Sequence, residues 1–279
     1  MSSERMDENL KRAPSMLKKA GFLVLLLLIA TCSISKAMAD GLEDARRRGK
    51  LLAGVKTDSP PFGYLDSSGT PQGIDIEIGR YLAKTLCGDY VLGLELVPVT
   101  SGGRIPFLYG HWVDIIVASM TITEDRRKVL EFSEPYFLSG SLLLVRKESA
   151  VRDLADLSGK NVAVIEGEVQ EKDIEESAPQ AKMVRFRNIS EALLALRDNQ
   201  VDAFCQDDVI ILELVKENPD LQAAGKPFKV RPYALAVRKG EVEFIHWVDV
   251  QLARMKEDGT YQSLMRKYFG ESESFLIKP

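Results

Sequence analysis

Histidine and cysteine are scarce in this 279-residue chain, two and three residues respectively, and much metal and nucleophilic chemistry depends on them. His111 and His246 stand apart, no Cys-x-x-Cys spacing occurs, and Cys87 and Cys205 are remote from each other. Neither a structural metal nor a thiol redox pair is therefore expected. No Ser-His-Asp set and no glycine-rich phosphate loop is visible. Blocks of like charge are missing too: 37 Lys and Arg face 41 Asp and Glu, a formal net charge of -4, with both signs interspersed. That pattern offers no field for nucleic acid or an anionic membrane face. The expectation is a chain without a cofactor, monomeric, that handles something small.

Long apolar runs are also lacking. The run Phe22 to Ala30 falls short of the ~20 residues a membrane span requires, but it follows Lys11, Arg12, Lys18 and Lys19 and precedes Ala37-Met-Ala39. Those are the basic, apolar and small-residue regions of a secretory signal, so 1–39 reads as a signal peptide and the mature chain as starting at Asp40. Glu4, Asp7 and Glu8 are unusual at such a start, which leaves Met16 as an alternative initiator. Ile29-Ala-Thr-Cys32 is a poor lipoprotein site because Thr31 stands where a smaller residue is wanted. The remainder suits one large or two modest domains, with 45% hydrophobic and 28% charged residues.

The stretch from Trp112 to Tyr136 organises the rest. Ile115, Ile116 and Val117 suit a strand covered on both faces; Ser119, Thr121 and Thr123 gather polar groups where the chain leaves it; Glu124 and Asp125 open a short helix. In open α/β sheets ligands sit at such a strand's carboxyl end, and Arg126 is placed to swing a guanidinium fork over it, a geometry that fits a carboxylate. The same residues also make an ordinary helix cap, with Arg126 on the surface.

Upstream, Leu51 to Val55 is a strand leading to Asp58-Ser-Pro-Pro-Phe-Gly-Tyr64, whose prolines predict an extended loop presenting Phe62 and Tyr64. Gly73 to Cys87 has helical spacing, Leu94 to Val99 is a second strand, and Arg104-Ile-Pro opens a helix. Downstream, Ser141 to Val145 is a strand. A second series then alternates strands at 161–165, 183–186 and 201–205 with helices at 169–176, 190–197 and 208–216, before a return through Pro232-Tyr233 to helices at 242–256 and 260–268. The alternation implies parallel sheets with helices on their faces. Cys205, inside an apolar strand, reads as a buried free thiol.

Ser119-Met-Thr-Ile-Thr-Glu-Asp-Arg126 with Phe132-Ser-Glu-Pro-Tyr136, Asp58-Ser-Pro-Pro-Phe-Gly63, Gly73-Ile-Asp-Ile-Glu-Ile78, Asp153 to Lys160 and Val201-Asp-Ala-Phe-Cys-Gln-Asp207 together resemble the bacterial periplasmic amino-acid-binding proteins, the solute receptors of ABC importers. The resemblance runs from about Leu51 to Gly270. It implies a two-lobed periplasmic-binding-protein-like α/β fold, each lobe a parallel-rich sheet flanked by helices, joined by a two-stranded hinge. The boundaries would be 40–140 for the first part of lobe 1, 141–232 for lobe 2, 233–270 for the return to lobe 1 and 271–279 for a tail, with crossings near Gly140 and Tyr233.

The resemblance further implies that Arg126 and Thr121 grip a ligand's α-carboxylate, that Ser119 and Asp207 take its α-amine, and that Asp58, Phe62, Met120, Glu168 and Val169 belong to the same site. From the residues alone, Asp207 could equally cap the helix after it. Thr100-Ser-Gly-Gly-Arg104-Ile-Pro is similar to the segment of glutamate and aspartate binders, so Arg104 would meet a side-chain carboxylate or amide. Gly103 and Val169 depart from the pattern; Val169 lacks the hydroxyl usual there. Glu166 and Glu168, if turned inward, would instead favour a cationic or amide side chain. The expected function is a periplasmic receptor for a polar L-amino acid, glutamate, aspartate or glutamine, that delivers it to an ABC permease and ATPase and performs no chemistry. The alternative is a prephenate- or arogenate-type dehydratase on the same fold, with Glu166 or Glu168 as general acid.

Overall fold

The computed structural model describes residues 41–270; the expected signal segment, Asp40 and the 271–279 tail lie outside the described residues. Helix α1 (Gly41–Arg48), which the patterning above did not anticipate, has acids in its first turn and arginines in its last, the arrangement that a helix dipole favours. It leads into β1 (Leu51–Val55). The Pro60-Pro61 segment, expected as a loop without ladder bonds, is the turn of a small antiparallel sheet made of β2 (Asp58–Ser59), β3 (Gly63–Leu65) and β4 (Pro71–Gln72). The prolines fall between the rungs, so no ladder donor is lost.

Then follow α2 (Ile74–Cys87), ended by left-handed Gly88, α3 (Tyr90–Gly93), β5 (Leu94–Pro98), α4 (Arg104–Tyr109), β6 (Ile115–Thr121), α5 (Glu124–Arg127), β7 (Leu130–Phe132) and β8 (Phe137–Arg146). After a 3-10 turn at Leu154–Leu157 come β9 (Asn161–Ile165), α6 (Gln170–Ser177), β10 (Lys182–Phe186), α7 (Ile189–Arg197), β11 (Ala203–Asp207), α8 (Asp208–Glu217) and β12 (Leu221–Arg238). Two helices, α9 (Val242–Glu257) and α10 (Thr260–Phe269), complete the described chain.

The large sheet runs β10-β9-β11-β8-β12-β6-β1-β5, with β7 paired to β12. One lobe holds the parallel set β6, β1, β5 and the other the parallel set β11, β9, β10. Between them β8 and β12 pair antiparallel, β8 bonding to β11 on one side and β12 to β6 on the other. The 18-residue β12 is much longer than the return segment expected around Pro232 and Tyr233. It tolerates Pro227 because its register shifts between Ala224 and Phe228, where no ladder bond is needed.

Strand β6 shows how the core positions the site. All seven of its residues are buried; Ile115 and Val117 join the main core, whereas Ile116, Ala118 and Met120 enter a second cluster with Leu108, Val113 and Ala236. Burying each such aliphatic side chain contributes roughly 1.5–3 kcal/mol. Both faces are thus anchored, and the strand's carboxyl end is held in place.

Candidate functional site

Five of the six parallel strands, β10 excepted, deliver polar residues from their carboxyl ends to one place. Lys56 and Asp58 follow β1, Ser101 follows β5, Ser119 and Thr121 end β6, Glu168 follows β9, and Asp207 ends β11. This is the sheet edge at which open α/β folds bind ligands.

Arg126 stands where the sequence put it. Thr123 caps α5, its hydroxyl accepting the Arg126 N–H at 3.2 Å. The guanidinium folds back, donating to the Thr121 carbonyl and, across to the other lobe, to the Gly167 carbonyl, each at 2.8 Å. Cap and site are therefore the same structure. Burial and the neighbouring Arg104 lower the Arg126 pKa to about 10, against Glu168, Asp207 and Tyr233, so it stays protonated at neutral pH.

Ser119 sits at φ 42, the left-handed region that costs an L residue about 1–2 kcal/mol. Its N–H donates to buried Asp75 at 2.8 Å, and Asp75 accepts the Tyr136 hydroxyl at 2.6 Å. Burial raises the Asp75 pKa to about 6 although these two bonds and Arg104 oppose it. Asp75, which the sequence offered only as part of an apolar helix, is thus the prop that turns the end of β6. Met120 points the other way, into the second cluster, so only its backbone borders the site. Phe62 is fully buried too. It meets Phe137 edge-on at 5.0 Å and Tyr233 at 5.3 Å, behind the site, instead of being presented at a strand end.

Arg104 is the most enclosed charge of the set, fully buried at the start of α4. It donates to the carbonyls of Ser101 at 2.9 Å and Ala118 at 3.0 Å, and across the cleft to the Gly167 carbonyl at 3.2 Å and the Glu168 carboxylate at 3.0 Å. The other Glu168 oxygen accepts the Ser101 hydroxyl at 2.5 Å. Lys56, 2% exposed, donates to Ser101 at 2.8 Å and pairs with Asp58 at 3.1 Å. Burial alone would push the Glu168 pKa up, but Arg104, Lys56, Arg126 and the Ser101 hydroxyl outweigh it and hold the carboxyl below the ordinary glutamate range. Glu168 is therefore held as an anion at neutral pH, whereas Glu166 is exposed on the same loop. Val169 precedes α6, half-buried, on a crevice of about 580 Å³ that Arg126, Glu168, Arg231 and Pro232 also line.

Asp207 stands at the N-cap position of α8 yet makes no side-chain capping bond. Its carboxylate is buried and accepts the Gln170 amide at 2.9 Å. Burial first, then the charge of Glu168, raises its pKa to about 7, and Gln170 and Tyr233 offset this only in part. Among the described residues no basic side chain forms an ion pair with it, although Arg126 and Arg231 both lie near enough to feel its charge. Beside it the Gln170 Oε1 and the Tyr233 hydroxyl are buried without a hydrogen-bond partner, so Tyr233 acts on Asp207 as a nearby dipole. Leaving such groups unmatched costs about 1–3 kcal/mol each.

The structure thus brings Asp58, Arg104, Ser119, Thr121, Arg126, Glu168 and Asp207 to one cleft. It adds Lys56, Ser101, Gln170 and Tyr233, none of which was named as a site residue from the sequence. Among the described residues no group of three or more His, Cys, Asp or Glu side chains is placed to hold a metal ion.

A two-lobed α/β scaffold with its charged residues converging between the lobes defines a cleft receptor for a small polar solute. The chain belongs to the bacterial extracellular solute-binding proteins, family 3, which it matches over residues 51–271. It is similar to the ABC transporter glutamine-binding protein of Bacillus subtilis (strain 168), 36% identical over 89% of this chain and 94% of that one. A glutamine-binding protein of Geobacillus stearothermophilus is 36% identical over 74% and 79%. Among solved structures, a mutant of the T. maritima protein ArgBP shares 34% identity and a TM-score of 0.78, covering 83% of this chain and all of that one. The chain is thus a solute-binding protein of the amino-acid-binding, ABC-transporter-linked kind.

Proposed function

We propose that this protein closes on a zwitterionic polar L-amino acid, glutamine-like in side chain, and delivers it to a membrane permease and ATPase. The observation that carries this reading is a protonated Arg126 on one lobe facing, on the other, a buried Asp207 that forms no ion pair. A ligand's α-carboxylate would take the free N–H groups of Arg126. Its ammonium would neutralise Asp207 and supply donors to the Gln170 Oε1 and the Tyr233 hydroxyl. A few such charge-assisted bonds, each about 1.5–3 kcal/mol, suffice for micromolar affinity after association costs.

Of glutamate, aspartate and glutamine, the amide is favoured. Lys56 is paired with Asp58 and Arg104 with Glu168, so neither of these cations is left for a second carboxylate. Two relatives named for glutamine support the same choice. In this reading β8 and β12 flex as the hinge near Gly140 and Tyr233, the receptor works as a monomer in the periplasm, and the segment before Asp40 is removed on export. Of the two carboxyls open to the dehydratase alternative, Glu168 is held ionised and Glu166 is exposed, without the burial that reading requires.

Calorimetry of ligand-stripped protein against the common amino acids tests the proposal. Glutamine binding tightest, with 1:1 stoichiometry, is the expected result. Turnover of arogenate or prephenate, or tightest binding of a solute without an α-amine, would overthrow it.

A further inference from the structure

Arg104 and Arg126 both donate to the Gly167 carbonyl, at 3.2 and 2.8 Å. Two guanidinium groups that meet on one oxygen form, by themselves, a reader for a dicarboxylate: one fork for each acid group. Here the second fork is already taken. Glu168, brought in from the opposite lobe by the turn after β9, places one oxygen on Arg104 at 3.0 Å and the other on Ser101 at 2.5 Å, with Lys56 bonded to the same hydroxyl at 2.8 Å. Two further N–H groups of Arg104 donate to the Ser101 and Ala118 carbonyls. The Glu168 side chain is 6% exposed and that of Arg104 fully buried, so water does not compete for the pair.

We propose that Glu168 is a built-in counter-anion that occupies the seat of a ligand's side-chain carboxylate, so that the receptor selects an uncharged side chain over an acidic one. The inference rests on the amino-acid-binding reading and specifies its substrate class. It also explains the turn itself. Gly167 has φ 80, and a Cβ there would stand 2.6 Å from the Gly102 Cα, so only glycine lets the loop approach closely enough to insert Glu168 between Ser101 and Arg104. A ligand carrying a second carboxylate must either displace Glu168, leaving it buried without its partner, or place two anions on one guanidinium, and both are unfavourable.

The test is a calorimetric titration of ligand-stripped full-length mature protein with L-glutamine and L-glutamate, in wild type, Glu168→Gln, Glu168→Thr and the double variant Glu168→Thr/Arg104→Met. Thermal unfolding confirms that each is folded. In wild type glutamine is expected to bind at least 30-fold more tightly than glutamate. Glu168→Thr should shift the glutamate-to-glutamine affinity ratio by at least 30-fold toward glutamate, Glu168→Gln should shift it the same way by less, and Arg104→Met in the double variant should remove the gain. A wild type that binds glutamate as tightly as glutamine, or ratios within threefold of wild type in both single variants, would overturn the role of Glu168 while leaving the amino-acid receptor standing. Failure of all four proteins to bind any amino acid would overturn the receptor reading, and this assignment with it.

Discussion

The two ends of the cleft carry similar charges in opposite conditions. At the Arg104 end, Lys56, Ser101, Arg104 and Glu168 satisfy one another across the lobes. At the Asp207 end, a buried carboxylate accepts an amide but forms no ion pair, and two neighbouring polar atoms have no hydrogen-bond partner. A satisfied buried network gains little from a ligand and penalises any ligand that disturbs it; an unsatisfied one is costly until a ligand completes it. Selection accordingly belongs to the first end and affinity to the second.

The most severe break of this contrast is Arg126→Ala, which removes the cation expected to meet the group all amino acids share. Binding of every amino acid should weaken by about 3–5 kcal/mol with little change in thermal unfolding, since the guanidinium's own contacts are two carbonyls. Near-normal affinity in a titration would reduce Arg126 to a surface residue.

Asp207→Asn tests the unsatisfied end and should cost roughly 1.5–3 kcal/mol in binding. The sign of its pH dependence follows from the raised pKa, about 7. Between the ordinary aspartate value and 7 the folded, ligand-free protein keeps a proton that the unfolded chain has released. Its stability therefore falls as pH rises through that window, by up to about 1.4 kcal/mol per unit. Ammonium binding needs the ionised form, so affinity should fall about tenfold for each unit below pH 7. In Asp207→Asn both slopes should flatten, leaving only the stability slope of Asp75, which ends at a lower pH because its pKa is about 6. Unchanged slopes would mean that Asp207 is not the group that titrates.

Gly167→Ala sharpens the contrast by holding the ends apart. The left-handed φ and the clash with Gly102 should cost about 1–3 kcal/mol, felt in ligand affinity more than in the stability of the open protein. Scattering profiles should then show less compaction on adding ligand; normal compaction would indicate that the loop adapts. The smallest effect is expected of Thr123→Ala, which removes the α5 cap for about 1 kcal/mol of stability. Because the cap also aims Arg126, a severalfold loss of affinity should accompany it, and an isothermal titration at fixed pH would detect it.

Much of this molecule follows from local pattern. The alternating strands and helices, the cap at Thr123 and the return of Arg126 over the end of β6 rest on side-chain periodicity and helix-end chemistry, which act between residues a few positions apart. The partners of those residues do not. Glu168 could face water or Arg104 by sequence alone, and it faces Arg104 because the lobes bring the turn after β9 against Ser101, 67 positions away. Asp75 reads as one acid in an apolar helix, yet it holds the strained Ser119 from 44 positions off. Lys56, Gln170 and Tyr233 carry no local signal, since a buried charge or orphaned hydroxyl is defined by what surrounds it. Met120 and Phe62 fit a binding motif but were drawn into the core, because the alternation of β6 and the aromatic cluster around Tyr233 bury apolar area that a solvent-filled cleft would leave exposed. Residue order is enough for the strands, the caps and the charges on offer. Which charges cancel in pairs and which one stays open depends on distances and burial between residues remote in the chain, and so on the folded arrangement of the lobes.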